Sequence, residues 1–301
     1  MTAAEPPAAA LSWAAEAAGS AVPARTVRRL MGGTHAVTHL LETAEPAREM
    51  VLQRFPRGDD AAARHAAALT ALDGLDGRTP RLLDADPRGR RFGEPALLIS
   101  RLPGSADIMS VSPDGMAVQL GRMLAQIHAV PLERFGGLRD GVAAAAASAG
   151  GSGGPAAAVL AAHGHRLADQ PPVLTHYDFW AGNVLWREGR VTGVIDWSGA
   201  SLAPRGFDVS WCRFDMVLLH GPSAADVFLK AYEEAAEETV PDMELWDLST
   251  MARSRRTVET WHPNYRDLGR TDLTGAVLRR SHTEWTGRCL ASWGRAERPR
   301  L

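Results

Sequence analysis

The stretch THYDFWAGNVLWREGRVTGVIDW, Thr175 to Trp197, constrains the fold more than any other part of the chain. A short apolar run ends at His176 and Asp178. Gly182 marks a turn, Val184 to Trp186 reads as a strand, and VTGVIDW reads as the next. Asn183 follows Asp178 by five positions, and Asp196 follows Asn183 by 13 at a strand end. Strand, turn and strand therefore bring three oxygen-bearing side chains to one rim. Any one of these residues, met singly, reads as a polar hairpin turn with surface acids. Asn, however, occurs only at 183 and 264, so its place in register with the two Asp carries weight.

A carboxylate beside an acceptor hydroxyl, with hard oxygen donors for a Mg²⁺ that shares its shell with phosphates and water, is what phosphoryl transfer needs. HYDFWAGN followed by IDW resembles the catalytic pattern of the aminoglycoside phosphotransferase family, small-molecule kinases with a protein-kinase-like fold. Protein kinases carry H-R-D and D-F-G at these places, whereas this chain has H-Y-D and D-W-S. The resemblance implies that Asp178 orients the acceptor hydroxyl and takes its proton, that Asn183 and Asp196 bind the metal, and that His176 braces the loop. It implies ATP or GTP as co-substrate. Asp208, in APRGFDVSW, resembles a family Asp with a structural role.

The rest of the chain fits the same architecture. VRRLMGGTHAVTHLLETAEPAREMVLQRF, Val27 to Phe55, reads as three strands with a Gly turn and a polar turn, and DAAARHAAALTALDGL reads as a helix. By resemblance Gly32, Gly33 and Thr34 offer backbone N–H groups to phosphates. PALLISRLPG resembles the hinge, with backbone near Ser100 to Leu102 meeting the adenine edge. From Asp114 the periodicity turns helical. His128 there reads as a core histidine, and Gly150 to Gly154 as a flexible loop. The expected fold is α+β, two-lobed and kinase-like. It comprises an Ala-rich extension over residues 1–21, a nucleotide-binding N-lobe and hinge over 22–104, and a helical C-lobe with catalytic loop and acceptor site over 105–301.

Two departures stand out. Kinase sites hold the nucleotide phosphates with a strand Lys paired to a helix Glu, but Lys230 is the only lysine and lies far from the strand EMVLQRF. Gln53 and Arg54 face opposite ways, and Arg54 is the candidate on chemical grounds. In the following helix His65 stands where relatives tend to carry Glu, leaving Asp59, Asp60 or Glu49 to pair with the cation. These gaps motivate a competing reading as a pseudokinase-like nucleotide-binding protein without transfer.

A net charge of −2 with no like-charge run disfavours nucleic acid as a partner. Two distant cysteines, no signal-peptide pattern and no long apolar run lead us to expect a soluble, cytoplasmic protein with neither membrane nor nucleic-acid partner. The expected acceptor is a small-molecule hydroxyl, in an antibiotic such as an aminoglycoside or in a metabolite. Residues 241–301 hold eleven Arg against eight Asp and Glu, a balance that disfavours a highly cationic acceptor. Trp180, Trp246, Trp261 and Trp285 could stack on a sugar or pack a core. A protein kinase is disfavoured because no A-P-E segment follows Asp196.

Overall fold

The computed structural model describes residues 5–30, 36–136, 138–148 and 153–297. The chain divides into two compact units. One comprises Met1–Ser105, Arg134–Leu138 and Thr192–Gly199, and the other comprises Ala106–Glu133, Arg139–Val191 and Ala200–Leu301.

The first unit is built on an antiparallel five-stranded sheet in the order β1-β2-β3-β5-β4. Its strands are β1 (Arg25–Leu30), β2 (Val37–Ala44), β3 (Ala47–Arg54), β4 (Leu82–Asp86) and β5 (Ala96–Ser100). Helix α1 (Ala8–Ala18) precedes them and α2 (Ala61–Leu72) lies between β3 and β4. Ala10, Trp13, Ala14 and Ala18 of α1 bury against Leu41, Met50, Leu52, Ala96 and Leu98, one face of the sheet. Alanines let the helix approach closely, and Trp13 fills the space between. Its indole N–H, which would be costly to bury alone, donates to Asp84 Oδ2 at 2.6 Å. Residues 192–199 rejoin this unit: Val194 N–H donates to Arg78 O at 2.8 Å, and the Thr192 hydroxyl donates to Pro103 O at 2.6 Å.

The second unit is largely helical. It holds α3 (Pro113–His128), α4 (Gly141–Ser148), α5 (Ala157–His163), α6 (His165–Ala168), α7 (Gly206–His220), α8 (Pro222–Ala236), α9 (Met243–Ser254), α10 (His262–Asp267) and α11 (Gly275–Ala296). Ser112 caps α3 by accepting from Gly115 N–H at 3.2 Å. Gly121 lets α3 and α8 meet backbone to backbone, since a Cβ there would lie 2.7 Å from Phe228 O. Strand β6 (Pro172–Thr175) pairs antiparallel with β9 (Ser201–Pro204). Strands β7 (Val184–Arg187) and β8 (Arg190–Val194) form a hairpin. The candidate catalytic loop runs from β6 into β7, ahead of α7.

Candidate active site

The loop His176–Asn183 is held by one face of α7. Asp208, Trp211 and Asp215 are spaced three and four apart, which stacks them along a single stripe of a helix. Asp208 is fully buried. Its Oδ2 accepts from His176 N–H at 2.6 Å and its Oδ1 from Tyr177 N–H at 3.0 Å. His128 Nε2 lies 3.6 Å from the same carboxylate, and His128 Nδ1 meets the Tyr232 hydroxyl at 2.8 Å. Burial lowers the pKa of His128 against the opposing pull of Asp208, which makes it a neutral core histidine at neutral pH.

Tyr177 needs that grip. Its φ of +77° lies in the left-handed region, a conformation that costs a non-Gly residue about 1–3 kcal/mol and persists only where the surroundings over-determine it. The Tyr177 ring stacks at 5.3 Å from Phe207, and the Arg139 guanidinium lies over it at 4.5 Å.

Asp178 is engaged at both carboxylate oxygens. Trp211 Nε1–H donates to Oδ1 at 3.0 Å. The Asn183 amide donates to the Asp178 carbonyl at 2.8 Å and to Oδ2 at 3.3 Å. Farther along the loop, Ala181 N–H donates to Asp215 Oδ2 at 3.0 Å, and the Tyr265 hydroxyl donates to Asp215 Oδ1 at 2.8 Å. Burial pushes Asp215 up to about 6, with these two hydrogen bonds opposing it. Arg253 of α9 lies 4.0 Å over the Phe207 ring and 5.0 Å over Trp211. Burial lowers its pKa to about 10, with Tyr177, Asp208 and Asp178 pulling the other way, so it stays a cation at neutral pH.

The structure thus brings His176, Asp178, Asn183 and Asp208 together in the second unit. The His176 ring is buried edge-on to Phe179 at 6.0 Å. Asp196 belongs to the first unit, with φ +62° and its Oδ1 accepting from the Ser198 hydroxyl at 2.7 Å. Asn183 and Asp196 offer the hard amide and carboxylate oxygens that suit Mg²⁺, which takes few protein ligands. Among the described residues no group of three or more His, Cys, Asp or Glu forms a metal cluster.

The N-lobe expectations fare differently. Gly32, Gly33 and Thr34 lie outside the described residues. Ser100 Oγ accepts from Arg81 N–H at 2.9 Å, and Leu102 is buried, its side chain lying against Gly193. Arg54 was expected to face the nucleotide, but alternation along β3 sets it on the face of Met50 and Leu52, the face α1 covers. There it pairs with Glu94 at 3.2 Å. Gln53 takes the opposite face with Val51 and Phe55, whose ring meets His65 of α2 edge-on at 6.5 Å. Of the acids that could have paired with it, Glu49 pairs with Arg101 at 2.6 Å and Asp60 pairs with Arg64.

Sequence reasoning missed Trp211, Asp215, Tyr265, Arg139 and Arg253. The stripe at 208, 211 and 215 was a usable signal, because Asp208 fixes which face of α7 meets the loop. Trp246 and Trp285 are core residues, whereas Trp261 packs on Trp211 at 5.3 Å and Trp180 on Tyr265 at 5.5 Å.

Residues 26–248 match the family described as the phosphotransferase enzyme family, APH. The chain belongs to that family. No protein of curated function matches significantly. Among solved structures, the macrolide 2′-phosphotransferase MphH from Brachybacterium faecium is 21% identical, with a TM-score of 0.60, covering 88% of this chain and 97% of that one. An aminoglycoside-3′-phosphotransferase of type VIII is 22% identical, with a TM-score of 0.57 and coverage of 79% and 97%. A thermostable mutant of aminoglycoside phosphotransferase APH(4)-Ia, in a ternary complex with ADP and hygromycin B, is 17% identical, with a TM-score of 0.58 and coverage of 93% and 96%. The α+β fold of this phosphotransferase is that of the kinase-like aminoglycoside phosphotransferases. Among the described residues no helix is long and apolar enough to cross a membrane.

Proposed function

We propose that this phosphotransferase moves the terminal phosphoryl group of ATP or GTP to a hydroxyl of a small molecule, such as an antibiotic of the aminoglycoside or macrolide kind. The observation that carries the reading is the Asp178 carboxylate, tethered at both oxygens by Trp211 and Asn183 on a loop braced by Asp208 and Asp215. A carboxylate so fixed is suited to orient an acceptor O–H and receive its proton. As that proton passes to Asp178, the acceptor oxygen bonds to the γ-phosphorus. The bond from phosphorus to the bridging oxygen breaks, and its electron pair leaves with the nucleoside diphosphate. Asn183 and Asp196 would hold Mg²⁺, which supplies neutralisation of phosphate charge when bound. A cytoplasmic location fits this chemistry, since that compartment supplies the nucleotide.

The test is turnover with Mg²⁺ and either ATP or GTP against a panel of aminoglycosides, macrolides and hydroxylated metabolites. Acceptor-dependent release of nucleoside diphosphate is expected, and Asp178→Ala should lower it at least a hundredfold while nucleotide affinity stays within a few-fold. Undiminished turnover in that variant would remove Asp178 from the chemistry. A second reading, nucleotide binding without transfer, is favoured by Gln53 on the α2-side face of β3 where a cation is expected. Tight nucleotide binding with no transfer to any acceptor would establish it.

A further inference from the structure

A carboxylate that must take a proton from one defined direction needs its terminal torsion fixed. Rotation about an sp³–sp² bond is broad and nearly two-fold, so Asp178 would not hold one orientation unaided. The Asn183 contact to Oδ2 is long, at 3.3 Å, near the limit at which such a bond orients anything. The Trp211 indole N–H to Oδ1, at 3.0 Å, is the shorter tether, and it involves an ionised acceptor, which makes it the stronger kind.

The indole is itself held. Arg253 lies 5.0 Å over it and Trp261 packs at 5.3 Å. Arg253 also rests 4.0 Å over Phe207, whose ring stacks on Tyr177 beneath Arg139. Arg139, Tyr177, Phe207, Arg253 and Trp211 form a stack of two cations and three rings that runs through Tyr177, the neighbour of Asp178 in sequence, and returns to the Asp178 carboxylate. A stacked guanidinium restrains the plane of a ring more than an apolar neighbour does, because the attraction is directed at the ring face.

We propose that Trp211 is a positioning residue for the reaction, its indole N–H fixing the orientation of the Asp178 carboxylate, with Arg253 as the seat that fixes the indole. The inference rests on the phosphotransfer reading for its consequence but not for its geometry. Trp211→Phe keeps an aromatic face for Arg253 and Trp261 while removing the N–H together with the five-membered ring that carries it.

Two readouts on the full chain test this. With ¹⁵N-labelled protein, the Trp211 indole resonance is identified by its loss in Trp211→Phe. In Asp178→Asn that resonance should shift, while those of Trp13, which bonds to Asp84, and Trp285, which lies under Arg213, stay in place. In turnover with Mg²⁺-nucleotide and the best acceptor of the panel, Trp211→Phe should lower kcat about ten- to a hundredfold, the worth of one hydrogen bond to a charged group. The KM for nucleotide should stay within twofold. Arg253→Met, which keeps the N–H but loosens its seat, should give a smaller kcat loss with the same KM. An indole resonance that ignores Asp178→Asn overturns the inference, as does a Trp211→Phe enzyme with wild-type kcat or a loss carried by KM alone. A wild-type chain that transfers phosphoryl to nothing overturns the phosphotransfer reading instead, and the indole response still decides whether Trp211 holds the carboxylate.

Discussion

Removing the Asp208 carboxylate should unfasten the loop His176–Asn183 from α7. Asp208 and His176 are fully buried, and the two carboxylate oxygens each take one backbone N–H, from His176 at 2.6 Å and Tyr177 at 3.0 Å. In Asp208→Ala both N–H groups lose their acceptor. An unsatisfied buried donor costs about 1–3 kcal/mol, so the pair should cost about 2–6 kcal/mol. The left-handed backbone of Tyr177 adds to the instability, because the contact that holds it is gone. Asp208→Asn separates the two contributions. Its amide keeps one acceptor oxygen but turns N–H₂ toward the other backbone N–H, so it should cost about half as much, about 1–3 kcal/mol. Urea unfolding followed by tryptophan fluorescence gives both values, and turnover should fall in the same order. An alanine variant within about 1 kcal/mol of wild type would refute the reasoning, since the two N–H groups would then have another acceptor or open to water.

The buried acid Asp215 makes a pH-dependent prediction. Its pKa in the fold, about 6, stands above the ordinary 3.8, so the native state holds this proton more tightly than the unfolded chain. Its contribution to stability is fully present below about 3.8 and is lost as pH rises through about 6. A rise of about two units corresponds to about 3 kcal/mol. The stability of wild type relative to Asp215→Asn should decline by that order between pH 4 and 6.5, and a flat difference across the window would count against it. Trp13→Ala should cost about 3–5 kcal/mol, because the indole fills the core between α1 and the sheet and bonds to Asp84. Thermal melts of the full chain would measure this, and a loss under about 1 kcal/mol would mean that α1 is not part of the core.

The sequence alone determined the strands and intervening helix of the sheet-bearing unit and singled out the candidate catalytic set. Strand and helix periods, Gly turns and the spacing of Asp178, Asn183 and Asp196 are local properties, readable because the chemistry requires those side chains in that register. It also exposed the missing strand lysine. Tertiary structure decided what it could not. Gln53 and Arg54 are adjacent, and which of them meets α1 depends on which face of β3 that helix covers, a choice made by burial of Trp13, Met50 and Leu52 rather than by the strand itself. The Glu94 partner of Arg54 is distant in sequence, so no local pattern pairs the two. Trp211, Asp215 and Arg253 look like ordinary helix residues until α7 and α9 are docked on the loop. Their role comes from a hydrogen bond or a stacked cation across distant segments, and such contacts exist only once the core has set the distances.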